Sequence, residues 1–169
     1  MHFSLLDRIT RLEPGKAISA VKCLSLAEEY LQDHFPKFPV MPGVLMLESM
    51  YQTGAWLVRV SEDFGHSMVI LREARNVRYA GFVQPGQTLD LSAEIIKQDA
   101  TTTTLKAQGS LGETVAVSAR LILERYNLAA RETTAQQQPG LDQFMKQRFR
   151  EIYRILYQPA VTTAAPVVS

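Results

Sequence analysis

The feature that most constrains the fold is an apolar segment, VLMLESMYQTGAWLVRV, which spans residues 44–60. Written as a helix, this segment is apolar on nearly every face for about four turns. Such a helix must be surrounded by protein, because hardly any of its faces suits contact with water. Glu48, Gln52 and Arg59 interrupt the segment, so it is too polar for a membrane span.

Most of the remaining globular sequence predicts β-strands. Alternation of polar and apolar residues predicts strands at residues 17–26, 88–98, 101–109 and 113–126, and the segment MVILREARNVRY predicts a strand with a polar interruption at 68–79. The last three follow one another closely across turn signals, which indicates an antiparallel meander. The sequence also predicts a short helix at residues 4–12, which is terminated by Pro14 and Gly15.

One buried helix followed mostly by strands predicts an α+β fold, in which a curved antiparallel sheet wraps around the helix. Beyond the globular part, a small and polar segment reads as a linker, and the residues after it have a helical apolar period. The predicted division is a globular domain at 1–128, a linker at 129–140, an amphipathic C-terminal helix at 141–157 and a disordered tail at 158–169.

Charge and cysteine content exclude several classes of function. The 169 residues include 18 Lys and Arg against 17 Asp and Glu, a balance that argues against nucleic-acid binding through bulk charge. A single cysteine excludes a disulfide within the chain and a thiolate zinc site. The N-terminal sequence does not read as a signal peptide, and no stretch reads as an integral membrane segment, so we expect a cytoplasmic protein.

The segment before the apolar helix has features that suit chemistry on a carbonyl group. Pro36, Pro39 and Pro42 hold the chain extended, and Gly43 follows as the first residue of the helix. The start of a helix presents unpaired N–H groups and a positive dipole end, and a glycine lets a ligand approach that backbone closely. This position can stabilise a carbonyl oxygen that gains negative charge.

Three polar side chains are candidates for acid–base work near this helix start. Glu48 is expected in apolar surroundings, where desolvation disfavours the charged form of a carboxyl, so it is a candidate proton donor. Gln52 is four residues further on and shares that helix face, where it can orient Glu48 or bind a polar group of the substrate. His34 precedes the proline segment, and a neutral imidazole there can act as a base.

Together these residues resemble the signature of the 3-hydroxyacyl-(acyl-carrier-protein) dehydratases of bacterial fatty-acid synthesis. The pattern of that family is His-Phe-Pro, then Pro-x-Met-Pro-Gly-Val-Leu, then a Glu fourteen residues after the His and a Gln four residues later. His34, the segment 39–45, Glu48 and Gln52 match this spacing. The segments LDRITRLEPGK at 6–16 and FVQPGQTLDLSAEI at 82–95 also resemble the family.

The resemblance implies the hot-dog fold and a defined set of roles. His34 takes a proton from C2 of a (3R)-3-hydroxyacyl thioester and Glu48 helps the C3 hydroxyl leave as water, which gives a trans-2-enoyl thioester. The N–H of Gly43 holds the thioester carbonyl, and that of Val44 contributes a further contact. Substrate contacts are expected from Met41, Pro42 and Gln52.

The resemblance also implies partners and the absence of a cofactor. The substrate is a phosphopantetheine-linked acyl chain on an acyl carrier protein, and the reaction needs no metal or cofactor. In the family, His and Glu of one site come from two subunits, so a homodimer or a dimer-based higher oligomer is expected.

Three departures from the family pattern keep an alternative open. Asp33 and Lys37 stand where the family usually has glycine, and the segment 129–169 is an addition to the typical short member. A catalytically repurposed hot-dog protein that binds acyl chains or a partner is therefore the alternative function. A hot-dog thioesterase is a weaker alternative, because hydrolysis favours a carboxylate-activated water or nucleophile, whereas the candidate base here is a histidine.

Overall fold

A computed structural model describes residues 3–35, 37–131 and 140–158. Its elements, in chain order, are β1 (Arg8–Glu13), β2 (Ala17–Cys23), α1 (Tyr30–Asp33), α2 (Gly43–Ser61), β3 (Met68–Tyr79), β4 (Thr88–Gln98), β5 (Thr102–Leu111), β6 (Thr114–Tyr126) and α3 (Leu141–Leu156). A short 3₁₀ helix, Leu128–Ala130, lies between β6 and α3. No helix in these described ranges has the length and apolar character needed to cross a membrane.

The strands form one antiparallel sheet in the order β1-β2-β4-β5-β6-β3. The predicted meander is confirmed as β4, β5 and β6, which are neighbours in both sequence and space. Strand β3 pairs with β6 on one side and forms an edge of the sheet on the other. The long connection between β2 and β3 contains α1 and α2, and it takes the chain from one side of the meander to the other.

Helix α2 is the buried helix that its sequence predicts. It packs against β2, β3, β4, β5 and β6, and its C-terminal half is almost wholly buried. Gly54 is required by this packing, since a Cβ at that position would lie 2.5 Å from Cδ1 of Leu105 on β5. The predicted α+β fold, with a sheet wrapped around one long helix, is confirmed.

The predicted helix at residues 4–12 is wrong, because this segment contains strand β1. A bulge between Ile9 and Arg11 interrupts the pairing of β1 with β2. Ile9 and Leu12 both contact the core across this bulge, so their spacing of three residues imitates a helical period. Gly15, with a φ of +76°, lies in the turn of the hairpin that joins the two strands.

The C-terminal helix α3 lies against the C-terminal half of α2. The Phe149 ring lies edge-on to Trp56 with centroids 5.9 Å apart, and Tyr153 contacts both Trp56 and Phe64. Arg150 donates to the main-chain oxygen of Asp63 at 2.8 Å. Most of the predicted linker, residues 132–139, and nearly all of the predicted tail, residues 159–169, lie outside the described residues.

Candidate active site

His34 lies directly after α1 on a constrained piece of backbone. Its N–H donates to the carbonyl oxygen of Tyr30 at 3.1 Å, which ends the helix, and its side chain is half-buried. Phe35 follows with a φ of +50°, an uncommon conformation for a residue with a side chain. The Phe35 ring lies edge-on to the imidazole with centroids 4.5 Å apart. The local backbone and this ring contact together restrict where the imidazole can lie.

The start of α2 is held in place by the segment that precedes it. Met41 is buried and donates its N–H to the carbonyl oxygen of Val83 at 2.9 Å. Pro42 precedes the first helical residue and provides no side-chain cap. The N–H groups of Gly43 and Val44 belong to the first turn, where intrahelical acceptors do not exist. These two N–H groups therefore lack an intrahelical acceptor, and their assignment as donors to a ligand oxygen stays a prediction.

Apolar side chains around this helix start are exposed to solvent. The Tyr79 ring lies so close to Gly43 that a Cβ there would be 3.0 Å from its Cε1. The rings of Phe38 and Phe82 contact each other edge-on at 5.7 Å. Phe38, Val44, Tyr79 and Phe82, which we call the open apolar patch, are between 47% and 69% exposed. Apolar surface of this kind is typical of an interface or a ligand-binding groove.

Glu48 and Gln52 lie on one face of α2, and the structure joins them directly. The Gln52 amide nitrogen donates to Oε1 of Glu48 at 2.9 Å and to the carbonyl oxygen of Phe3 at 2.9 Å. Its amide oxygen accepts the N–H of Leu5 at 2.9 Å. Both polar ends of the Gln52 amide are thus occupied, which supports an orienting role on Glu48 more than a direct contact with substrate.

Glu48 lines a cavity of about 230 Å³ between α2, β3 and α3. Other lining residues include Tyr51, Trp56 and Arg59 from α2, Met68, Val69 and Ile70 from β3, and Met145, Phe149 and Ile152 from α3. The walls are mainly apolar, which suits a hydrocarbon chain. The cavity therefore connects a candidate proton donor with space for an acyl group.

His34 is not among the residues that line this cavity in the described protomer. A single protomer thus brings Glu48 and Gln52 together at this cavity, whereas neither the His34 imidazole nor residues 41–44 at the start of α2 line it. His66, another histidine, contacts Glu62 beyond the opposite end of α2 at 2.8 Å. Within the described ranges no cluster of His, Cys, Asp or Glu is arranged to hold a metal ion.

Two side chains of this cavity escaped the sequence-based site prediction. Tyr51 donates its hydroxyl to the carbonyl oxygen of Val69 at 2.8 Å, and Arg59 is buried at the far end of the cavity. Arg59 lies eleven residues after Glu48, which places both on one helix face. That spacing is a usable signal, but only a structure reveals that α3 encloses this face.

Comparisons with known proteins identify the family. A family model described as a FabA-like domain matches residues 1–120. A 3-hydroxyacyl-[acyl-carrier-protein] dehydratase FabZ of Levilactobacillus brevis is 40% identical over 116 residues, which cover 69% of this chain and 78% of the relative. A FabZ of Clostridium kluyveri is 36% identical over 120 residues, covering 71% of this chain and 83% of the relative.

Solved structures agree on the fold. The dehydratase heterocomplex ApeI:P of Xenorhabdus doucetiae contains a chain that matches with a TM-score of 0.62 at 20% identity, covering 75% of this chain and 85% of its own. A Streptococcus mutans protein, smu.793, bound to acetyl CoA, matches with a TM-score of 0.58 at 13% identity, covering 75% and 93%. The sequence-based family prediction is confirmed: the chain belongs to the FabA-like family of hot-dog proteins and is a relative of the FabZ dehydratases.

Proposed function

We propose that this protein dehydrates (3R)-3-hydroxyacyl thioesters on acyl carrier protein to trans-2-enoyl thioesters, in fatty-acid or related lipid biosynthesis. The observation that carries the proposal is the Glu48 carboxyl, which Gln52 holds at the edge of an apolar cavity. The FabZ relatives at 36–40% identity support the same reaction.

The proposed mechanism divides acid and base between two side chains. His34 removes the proton from C2, the C3–O bond breaks, and Glu48 gives its proton to the departing hydroxyl, which leaves as water. The N–H of Gly43 donates to the thioester oxygen as that oxygen gains charge, and the N–H of Val44 contacts the water or the hydroxyl. Met41 and Pro42 fix the position of these N–H groups. This chemistry calls for no metal or cofactor.

We further propose that the catalytic unit is a homodimer, alone or within a larger oligomer. In one protomer His34 does not line the cavity of Glu48, so a second protomer is needed to complete the pair. The free edge of β3 and the open apolar patch provide surfaces for such an association.

The substrate carrier and the location belong to the same proposal. The FabZ relatives are named for an acyl-carrier-protein substrate, and a phosphopantetheine-linked acyl chain is the corresponding ligand here. Lys37, which is exposed near His34, is available to meet the phosphate of that arm. We place the protein in the cytoplasm, as expected from a sequence that shows no signal peptide or integral membrane segment.

Hydration of a crotonyl thioester, the reverse reaction, tests the proposed chemistry. His34→Ala and Glu48→Gln should each lower kcat/KM by about 100-fold or more, on the usual scale for acid–base groups. His66→Ala is the matched control and should leave kcat/KM unchanged, because His66 lies beyond the opposite end of α2. Full activity in both site variants contradicts the assigned roles. Absence of turnover in the wild-type protein on every chain length supports the repurposed, acyl-binding alternative.

Mixing the two inactive variants tests the dimer. If a site combines His34 of one subunit with Glu48 of the other, each hybrid dimer contains one intact site and one doubly altered site. Random re-association should then restore about a quarter of wild-type activity, because half of the dimers are hybrids with one working site each. No recovery, when exchange of subunits is verified by mass, contradicts a site shared between protomers.

A further inference from the structure

Arg59 is a buried guanidinium that lacks an anionic partner in the described part of the chain. It is only 9% exposed and lines the cavity that begins at Glu48. Its one direct hydrogen bond to the main chain, from Nη2 to the carbonyl oxygen of Val69, is long at 3.4 Å, and its Nε has no acceptor. None of the described carboxylates lies within ion-pair distance of it. A buried charge without a counter-ion is costly, so an anionic ligand would relieve this cost.

The guanidinium remains charged at neutral pH despite its surroundings. Burial lowers the pKa of Arg59 to about 10, and the adjacent Tyr51 partly offsets this effect. The Phe149 ring lies 4.0 Å and the Trp56 ring 5.5 Å from the Arg59 guanidinium carbon. These rings stabilise the positive charge by cation–π interaction, but the Nε proton is still without an acceptor.

The position of Arg59 relative to Glu48 indicates what kind of ligand would reach it. The two residues are eleven positions apart on one face of α2, which corresponds to about 16 Å along the helix axis. Both line the same cavity, and the walls between and around them are apolar side chains of α2, β3 and α3. An extended hydrocarbon chain that starts beside Glu48 would therefore direct its far end toward Arg59.

We propose that this cavity binds an aliphatic chain that ends in a carboxylate, and that Arg59 pairs with this carboxylate. A carboxylate carries one negative charge and accepts two parallel hydrogen bonds from a guanidinium. A phosphate dianion would leave a negative charge uncompensated in the apolar cavity. The carboxylate has two possible sources: the far end of a thioester substrate, or a free fatty acid. The first source rests on the proposed dehydratase function, whereas the second does not.

Calorimetric titration with decanoate and decan-1-ol tests the site directly, since the two ligands share a chain length and differ in charge. Wild-type protein should bind decanoate about tenfold more tightly or better, on the scale of a hydrogen bond to a charged group. Arg59→Met should remove this preference. Arg59→Lys should retain part of it, because an ammonium keeps the charge but cannot donate two parallel hydrogen bonds to the carboxylate. Equal binding of both ligands by the wild-type protein, or a preference that survives in Arg59→Met, overturns the proposal.

Arg150→Gln is the matched control for the possibility that Arg59→Met acts only by loosening the packing of α3. Arg150 attaches α3 to Asp63 and lies over the Phe64 ring, but it does not line the cavity. This variant should keep the preference for decanoate even if its melting temperature falls as far as that of Arg59→Met. If Arg150→Gln also abolishes the preference, Arg59 acts only by holding α3, and the carboxylate site is rejected.

Two kinetic measurements distinguish the sources of the carboxylate. Hydration of 2-enoyl thioesters of equal length, with either a terminal carboxyl or a methyl group, reports on the substrate end. A higher kcat/KM for the carboxyl-ended thioester, lost in Arg59→Met, assigns the carboxylate to the substrate. If decanoate inhibits competitively but the carboxyl-ended thioester has no higher kcat/KM, the carboxylate is that of a free fatty acid. If crotonyl thioester is not hydrated but decanoate is still preferred, the dehydratase proposal fails and the carboxylate site stands.

Discussion

The N-terminal half of α2 and its C-terminal half have similarly apolar sequences, but different parts of the molecule cover them. At the N-terminal end, Val44 is 69% exposed and lies in the open apolar patch. At the C-terminal end, every residue from Thr53 to Arg59 is buried, and α3 covers the Trp56 ring. The C-terminal end of α2 is therefore covered by other parts of the same chain. The N-terminal end is left exposed, where a ligand or a second subunit can cover it.

This difference separates stability from function along a single helix. The covered half contributes packing energy, since its side chains are removed from water within one protomer. The open half holds the unpaired N–H groups of Gly43 and Val44 beside apolar surface, an arrangement that suits substrate and a second subunit. The cavity between Glu48 and Arg59 joins the two halves. Apart from Arg59, for which we propose a ligand, changes at the covered end should thus affect mainly unfolding, and changes at the open end should affect mainly turnover.

Deletion of residues 132–169 is the largest test of this comparison. It removes α3, exposes Trp56 and Phe64, and loses the burial of Leu156, which together should cost roughly 3–5 kcal/mol of unfolding free energy. The melting temperature should fall by roughly 10 °C in thermal denaturation followed by circular dichroism. The oligomeric state measured by sedimentation should not change, because the ring contacts of α3 are with Trp56 and Phe64, whereas the open apolar patch surrounds the start of α2. A dimer that dissociates on deletion would show that both ends serve association.

Gly54→Ala tests the covered half with a single methyl group. The added Cβ would lie 2.5 Å from Cδ1 of Leu105, which is fully buried and has little room to move. Overpacking of this kind should cost about 1–3 kcal/mol in urea denaturation. Gly81→Ala is the control, since its Cβ would lie 3.5 Å from Ala116 at ordinary contact distance. An equal loss in both variants would mean that the close approach of α2 to β5 is not the cause.

The sequence predicts most of the sheet and the burial of the covered half of α2. Strands β3 and β4 agree with their predicted ranges, and β5 and β6 agree to within two residues. For β4, β5 and β6 the reason is an alternation that continues between clear turn signals. Strand β1 was missed because the bulge after Ile9 gives it an irregular period. A bulge depends on pairing with β2, and pairing is not visible in a local pattern.

The two ends of the candidate site differ in how far the sequence predicts them. His34, Gly43, Glu48 and Gln52 could be selected because they lie within one short, unusually rigid segment. Arg59 attracted attention only as a charge in an apolar helix. Its role as the far wall of a cavity depends on where α3 lies after a long polar connection, and the sequence of that connection does not determine a direction.

Gly43→Ala provides the counterpart of Gly54→Ala at the open end. Its Cβ would be 3.0 Å from Cε1 of Tyr79, but Tyr79 is half-exposed and can move aside. The unfolding free energy should therefore change by less than about 0.5 kcal/mol, as is usual for a substitution that its surroundings can accommodate. Hydration of crotonyl thioester should slow about tenfold, since the methyl group crowds the N–H that we propose holds the thioester oxygen. A stability loss as large as that of Gly54→Ala would remove the distinction between the two halves.

Asp142→Asn is the smallest and most pH-dependent change at the covered end. Partial desolvation raises the pKa of Asp142, but hydrogen bonds from Ser67 and from the N–H groups of Ala129 and Leu128 outweigh it and hold the pKa below its usual value of 3.8. A lowered pKa in the folded state means that the carboxylate stabilises α3 above about pH 4 and loses this effect as the pH falls further. The substitution should cost less than about 1 kcal/mol at pH 7, because the group remains in contact with solvent. The difference between the variant and wild-type protein should shrink in urea denaturation below pH 4, and a difference that stays constant down to pH 3 would show that the charge of Asp142 is not what attaches α3.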